Sequence, residues 1–247
     1  MNGVSREAIV SSLRREGYCL LSGFAADVAE SLRREHQRIF EERLVGVAFA
    51  EPGDGEQIYS STVETLQELG LDNLARCLGA DWFADVAARY FRAAPDAIGE
   101  AELVSFTLDG PKESLDNPGN HWPHWDPYLS LRLMLYVSDV TRENGAVEIK
   151  PGTHRDNHRR RMHEWRAGME YAGRPICAGD DIAFQPVEAR AGSVILFDTS
   201  ITHRRGLVAE GRERRVAFNY LEAPLGRLHR EGEAYALVPA ALRDIHF

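Results

Sequence analysis

The segment His121-Trp122-Pro123-His124-Trp125-Asp126-Pro127-Tyr128 sets an imidazole and a carboxylate two residues apart, at His124 and Asp126. On an extended backbone, side chains two apart leave the same face, so these two groups can address one point. A second imidazole, His203, follows the apolar run Val194-Ile195-Leu196-Phe197, itself opened by the turn Ala191-Gly192-Ser193. Two histidines and one carboxylate on one face, with the opposite face open, form the ligand set of non-haem iron(II) oxygenases. Zinc accepts the same donor types, so zinc hydrolysis is the competing chemistry. His121 is a rival ligand, but its offset of three residues puts it opposite His124, at the surface or as an outer contact. His36, His154, His158, His163, His229 and His246 have no partner at ligand spacing.

The surrounding pattern shows what must hold these groups. Residues 1–99 read mainly as helix. Ser5 is an N-cap for a first helix ending at Gly17, and Tyr18–Leu21 is a short strand. Asp27 with Glu30, and Ser61 with Glu64, have the spacing of capping boxes. Apolar residues at helical spacing follow each: Val28, Leu32, Ile39, Phe40 and Leu44, then Leu66, Leu69, Leu74 and Leu78. Asp81 opens a further helical stretch through Tyr90. From Glu100 the period becomes two. Leu131, Leu133, Leu135 and Val137 alternate with Arg132, Met134, Tyr136 and Ser138, which predicts a half-buried strand. Ser193–Phe197 and Arg214–Leu221 are further strands. Turns fall at Asn117–Asn120, Asn144-Gly145, Pro151-Gly152 and Ala191-Gly192. The expected class is α+β, with a helical layer on an antiparallel sheet or barrel. No linker divides the chain, so one domain over 1–247 is expected: helical support to 99, a core carrying the site over 100–224, and a C-terminal extension from 225.

Composition narrows the function classes. With 44% hydrophobic and 27% charged residues, the chain is neither disordered nor fibrous. Its 247 residues suffice for a sizeable core. Cys19, Cys77 and Cys177 form no C-x-x-C pair, which excludes a disulfide framework and points to a reducing compartment. The net charge of −9 argues against nucleic acid and anionic membranes as partners. No apolar run approaches the roughly 18 residues of a membrane span, and Met1–Glu7 lacks the order of a signal peptide. A cytoplasmic monomer or homodimer acting on a small molecule is expected.

Between the two halves of the ligand set lies Asp139-Val140-Thr141-Arg142-Glu143-Asn144-Gly145-Ala146-Val147-Glu148-Ile149-Lys150-Pro151-Gly152-Thr153-His154. Preceded by His-x-Asp and followed by Gly192-Ser193-Val194-Ile195-Leu196-Phe197-Asp198 and His203, this order of motifs resembles the phytanoyl-CoA dioxygenase family. The resemblance runs from about Glu100 to Pro224. It implies a double-stranded β-helix, or jelly roll, and an Fe(II)- and 2-oxoglutarate-dependent oxygenase consuming O2. It also implies that His124, Asp126 and His203 hold the iron. A family arginine about eleven residues beyond the distal histidine falls on Arg214, with Arg215 as the alternative. A guanidinium fork there would suit the far carboxylate of 2-oxoglutarate. Members often have a small hydroxyl residue two positions after the distal histidine; here that position is Arg205, a candidate for co-substrate or substrate. Related halogenases lack the carboxylate, so Asp126 implies oxygen chemistry, with hydroxylation, desaturation, ring closure or epimerisation as the outcome.

On the same alternation, Trp122 and Tyr128 share the ligand face and are nominated as pocket walls, while Trp125 points into packing. Arg132, Met134 and Tyr136 face either the cavity or solvent, and Tyr136 is taken as a pocket candidate. Thr107, on the preceding strand, is a further candidate near the co-substrate. The segment 155–186, with Arg155, Arg159, Arg160, Arg161 and Arg166, reads as a lid over the substrate or as a solvated basic helix. A natural-product tailoring enzyme, on a sugar-containing or polyketide substrate, is the expectation. A non-catalytic jelly-roll binding protein and a protein-modifying hydroxylase are the alternatives.

Overall fold

The computed structural model describes residues 4–43, 48–53, 56–79, 81–94, 98, 103–111, 121–168, 183–232 and 235–237. Helix α1 (Arg6–Glu16) begins where Ser5 Oγ accepts from the Ala8 amide at 3.1 Å. It ends at Gly17, whose φ of +82° suits glycine and whose N–H reaches Leu13 O. Strand β1 (Tyr18–Leu21) follows, then α2 (Ala29–Glu42), β2 (Ala48–Gly53), β3 (Glu56–Ser61), α3 (Val63–Glu68), α4 (Asp72–Leu78) and α5 (Asp81–Phe91). The second half runs β4 (Val104–Asp109), β5 (Ser130–Tyr136), β6 (Val147–Lys150), α6 (His154–Arg166), β7 (Gln185–Pro186), β8 (Val194–Asp198), β9 (Thr202–Arg205), β10 (Arg214–Glu222) and α7 (Pro224–Arg230).

The strands form a seven-stranded antiparallel sheet, β1-β8-β5-β10-β4-β3-β2, and a three-stranded sheet, β7-β6-β9. Register fixes which side chains face where. Tyr136, Met134 and Arg132 of β5 lie opposite Val216, Phe218 and Tyr220 of β10. Met134 and Arg132 also lie opposite Ile195 and Phe197 of β8. That face packs on Val147 and Ile149 of the small sheet. The other face, with Leu131, Leu133, Leu135, Val194, Leu196 and Ala217, packs under the helices against Leu13, Leu32, Leu74 and Val86. The large sheet is thus the middle of three layers. Strand β5 is therefore buried on both sides, not half-buried as its alternation predicted.

Four further points go beyond or against the expectations. The N-terminal part is mainly helical, as expected, but it also contains two unforeseen strands: β2 and β3 pair with each other, and β3 pairs with β4 to extend the large sheet. Helix α2 has Val28 at its N-cap with no side-chain bond, because Asp27 sits in a preceding 3-10 turn. Helix α3 is capped by Thr62, whose hydroxyl accepts from the Thr65 amide, and not by Ser61, which ends β3. Finally, 154–166 is a helix with Arg155, Arg159, Arg160 and Arg166 exposed, as the solvated basic helix predicts, but its other face buries His154, His158, Arg161, Met162 and Trp165. The rest of that segment, 169–182, and the turn at Asn117–Asn120 lie outside the described residues. Among the described residues, no helix is long and apolar enough to cross a membrane.

Candidate metal centre

Two loops bring the three donors together. The loop entering β5 carries His124 and Asp126, and the tight turn from β8 to β9 leads into His203. They are joined by backbone: His124 N–H donates to His203 O at 2.9 Å and His203 N–H to His124 O at 2.8 Å. Asp126 N–H reaches Thr199 O in the same turn, at 2.8 Å. Asp198 shapes that turn, one carboxylate oxygen accepting from the Ser200 amide and the other from the Tyr90 hydroxyl of α5.

Each imidazole is set in one tautomer. His124 Nδ1 donates to Trp122 O at 2.7 Å and His203 Nδ1 to Ile201 O at 2.8 Å. A carbonyl can only accept, so the proton is on Nδ1 and the Nε2 lone pair is left for a ligand. Both Nε2 atoms lie 3.7 Å from Asp126 Oδ1. Burial lowers His203 to about 4, so it is neutral near pH 7. Burial pushes the Asp126 carboxyl up, but Arg132, His203 and His124 together outweigh that and hold it below its usual value. A carboxylate facing two Nε2 lone pairs is the arrangement of donors a divalent cation requires. Among the described residues, this is the one cluster of three such donors around a common point. The donor set and its tautomers fit a metal ion.

Two arginines that the sequence reading did not assign support Asp126. Arg132 Nη2 donates to Asp126 Oδ2 at 2.9 Å. Arg161, buried on α6, donates to Asp126 O at 2.8 Å, to Pro127 O at 3.1 Å and to Ser200 Oγ at 2.8 Å. Its guanidinium also sits 5.1 Å from the ring centre of Trp125, which packs inward as its position predicted.

Beside the donors lies a small cavity of about 50 Å³, lined among others by His124, His203, Phe197, Phe218, Arg205 and Arg214. Arg214 is 1% exposed; its Nε donates to Asp109 Oδ2 at 3.0 Å and its Nη1 to Gly145 O at 2.7 Å. Its Nη2 is buried with no hydrogen-bond partner among the described residues. Arg205 binds Asp109 Oδ1 at 3.0 Å and Glu56 Oε1 at 2.5 Å. A larger cavity of about 440 Å³ borders Asp126, lined also by Pro127, Tyr128, Ser130, Arg132, Tyr220, Glu222 and Arg230.

The other nominated residues divide. Tyr128 is a wall of the larger cavity, whereas Trp122 serves through its carbonyl. Arg215 projects from the opposite face of β10 to Arg214 and pairs with Glu213 at 2.8 Å, so it is not brought to the donors. Thr107 shares the face of Asp109 and is buried opposite Val216, but it is not among the lining residues of either cavity. Tyr136 is no pocket wall. It is fully buried between the sheets, donates to Val187 O at 2.8 Å, and burial pushes its hydroxyl up to about 12. His121 Nδ1 is 3.0 Å from Arg205 O and stays outside the donor set. Asp109 and Glu56 were not foreseen, because their role depends on strand pairing far along the chain.

The profile of the family described as phytanoyl-CoA dioxygenase (PhyH) matches residues 13–215, most of the chain. The chain belongs to the phytanoyl-CoA dioxygenase family. No curated protein sequence matches it. Among solved structures, the phytanoyl-CoA dioxygenase fold seen here is similar to that of the epimerase SnoN, crystallised with Fe3+, alpha ketoglutarate and nogalamycin RO. The two share 18% identity over 88% of this chain and 83% of SnoN, with a TM-score of 0.59. The carbocyclase SnoK from nogalamycin biosynthesis is 16% identical over 90% of this chain and 85% of its own, with a TM-score of 0.59. HygX from Streptomyces hygroscopicus, with nickel, 2-oxoglutarate and hygromycin B bound, is 14% identical over 89% and 88%, with a TM-score of 0.56. At these identities the likeness is one of fold.

Proposed function

We propose that the protein is an iron(II)- and 2-oxoglutarate-dependent oxygenase acting on a small metabolite, as a tailoring enzyme. The observation that carries this reading is one point faced by two Nε2 lone pairs and one carboxylate oxygen, with a buried guanidinium in the adjoining cavity. His124, Asp126 and His203 would hold the iron. Arg214 would receive the far carboxylate of 2-oxoglutarate through Nη2, which has no hydrogen-bond partner among the described residues. When bound, iron with 2-oxoglutarate and dioxygen supplies the oxidant that takes hydrogen from an unactivated carbon.

The chain's own residues do the rest. The Trp122 and Ile201 carbonyls hold the imidazole protons on Nδ1. Phe197 and Phe218 give the small cavity apolar walls that limit water. The larger cavity, with Tyr128 and Tyr220 exposed at its wall, receives the substrate beside Asp126. Residues 1–247 work as one oxygenase domain, in which the N-terminal strands and helices complete the sheet that presents the site.

A non-catalytic binding protein would be favoured by exposure of both Arg214 and Arg215 and by the absence of a cavity at His124; the burial of Arg214 and the cavity lined by His124 support the oxygenase reading over it. The test is an anaerobic titration of the apoprotein with Fe(II) and then 2-oxoglutarate, watched for the visible charge-transfer band. The band should form in the wild type and be absent in His124→Ala. Folded, metal-loaded protein that gives no band would sink the reading.

A further inference from the structure

Asp126 has two oxygens with different neighbours. Oδ1 lies 3.7 Å from both imidazole Nε2 atoms, while Oδ2 accepts from Arg132 Nη2 at 2.9 Å. Arg132 comes from the interior strand β5, and its guanidinium lies over Phe197 and Phe218, 5.7 and 5.9 Å from their ring centres. It is also the one residue that lines both the small cavity with Arg214 and the larger cavity with Tyr128, among the described residues. The side chain therefore borders both spaces while bound to the outer oxygen of Asp126.

A carboxylate with both oxygens available can chelate one cation and occupy two of its positions. Here the second oxygen is already committed to a charge-assisted hydrogen bond. A neighbouring cation also withdraws charge from the carboxylate and makes it a poorer donor, the reverse of an outer partner that strengthens a ligand. We propose that Arg132 is a positioning residue that restricts Asp126 to one donor oxygen, keeping a place for 2-oxoglutarate at some expense in metal affinity. This deepens the oxygenase reading and rests on it. Removing the guanidinium lets Asp126 use both oxygens, so metal and co-substrate affinity move in opposite directions. A role limited to folding would lower both or neither.

The experiment compares wild type, Arg132→Met and Arg132→Lys. Ni(II) and, anaerobically, Fe(II) are titrated by calorimetry. 2-Oxoglutarate is then titrated into each metal-loaded protein, with the charge-transfer band read for iron. Arg132 has a side chain 32% exposed, so an unbranched Met of similar length can be accommodated beside Phe197 and Phe218; Arg132→Leu serves if the Met variant does not fold. The Met variant should bind metal as tightly as wild type or more so, and 2-oxoglutarate about tenfold or more weakly, with Lys between the two. Unchanged 2-oxoglutarate affinity would overturn the proposal. So would a loss of metal affinity of about 10–100-fold, the usual result of deleting an outer partner. Failure of the wild type itself to bind iron and 2-oxoglutarate would remove the oxygenase reading instead.

Discussion

Arg214 of β10 and Asp109 of β4 meet across the sheet, Nε to Oδ2 at 3.0 Å, with both side chains almost wholly buried. The pair orients the guanidinium fork so that two of its nitrogens are engaged and Nη2 is left over. Asp109 also holds Arg205, so one acid steadies two arginines at the same cavity.

That arrangement makes Arg214 hard to replace. Arg214→Met should weaken 2-oxoglutarate binding by about 1.5–3 kcal/mol, the worth of a hydrogen bond to a charged group. Arg214→Lys should recover little, because an ammonium lacks the planar fork that serves Asp109, Gly145 and a carboxylate together. Titration of the metal-loaded variants with 2-oxoglutarate reads both; binding unchanged by either would refute the assignment.

Metal affinity should separate the histidines. His124→Ala, Asp126→Ala and His203→Ala should each weaken Ni(II) or Fe(II) binding by more than about a hundredfold, beyond the effect of outer partners. His121→Ala should stay near wild type, since His121 contacts the Arg205 carbonyl and not the donor cluster. Calorimetry on folded apoprotein settles the comparison.

Arg161 links the two ligand-bearing loops from helix α6. Arg161→Met would strip the donors from Asp126 O, Pro127 O and Ser200 Oγ, two carbonyls and a buried hydroxyl. At about 1 kcal/mol or more each, the loss should reach about 3 kcal/mol. The urea midpoint should fall at constant slope, and metal affinity should fall with it. A midpoint within error of wild type would show that the loops do not depend on Arg161.

Acid should unfold the metal-free protein through its buried imidazoles. Burial lowers His36 and His158 to about 3 and His203 to about 4, from an ordinary 6.5. Above pH 6.5 neither the folded nor the unfolded chain protonates them. Below it the unfolded chain takes protons that the fold refuses, so stability falls as pH drops from 6.5 toward 4. Each contributes up to about 1.4 kcal/mol per pH unit. His36→Phe, which suits a pocket between Phe40 and Phe106, should make the decline shallower by its own share. Urea denaturation from pH 7.5 to 5 measures this; identical slopes in the two proteins would exclude His36.

The donor set was legible because its information is local. His124 and Asp126 are two apart on one short loop segment, and His203 follows an apolar run that could only be a core strand. Arg214 came from the resemblance, and the two faces of β10 then separate it from Arg215. What escaped depends on contacts far apart in the chain. Asp109 meets Arg214 105 residues away, and Arg161 meets Asp126 35 residues away. A run such as Arg159-Arg160-Arg161 looks like a solvated surface, and composition cannot show that its third member is buried. Tyr136 misled for a related reason. Alternation fixes which side of the sheet a residue faces, but not whether cavity or core lies there. Strands β2 and β3 were missed because neither Ala48–Gly53 nor Glu56–Ser61 has a strong apolar alternation.

His124 and His203 exchange both of their backbone hydrogen bonds with each other, so the peptide groups of the ligands set the distance between their strands. The metal is not asked to assemble its own socket. Apoprotein and holoprotein should share one fold, and loading should proceed at the rate of ion arrival without a slow refolding phase. The cation can also depart and leave the scaffold intact. Occupancy should then follow the supply of the cation around the protein, and adding it back to depleted protein should restore binding.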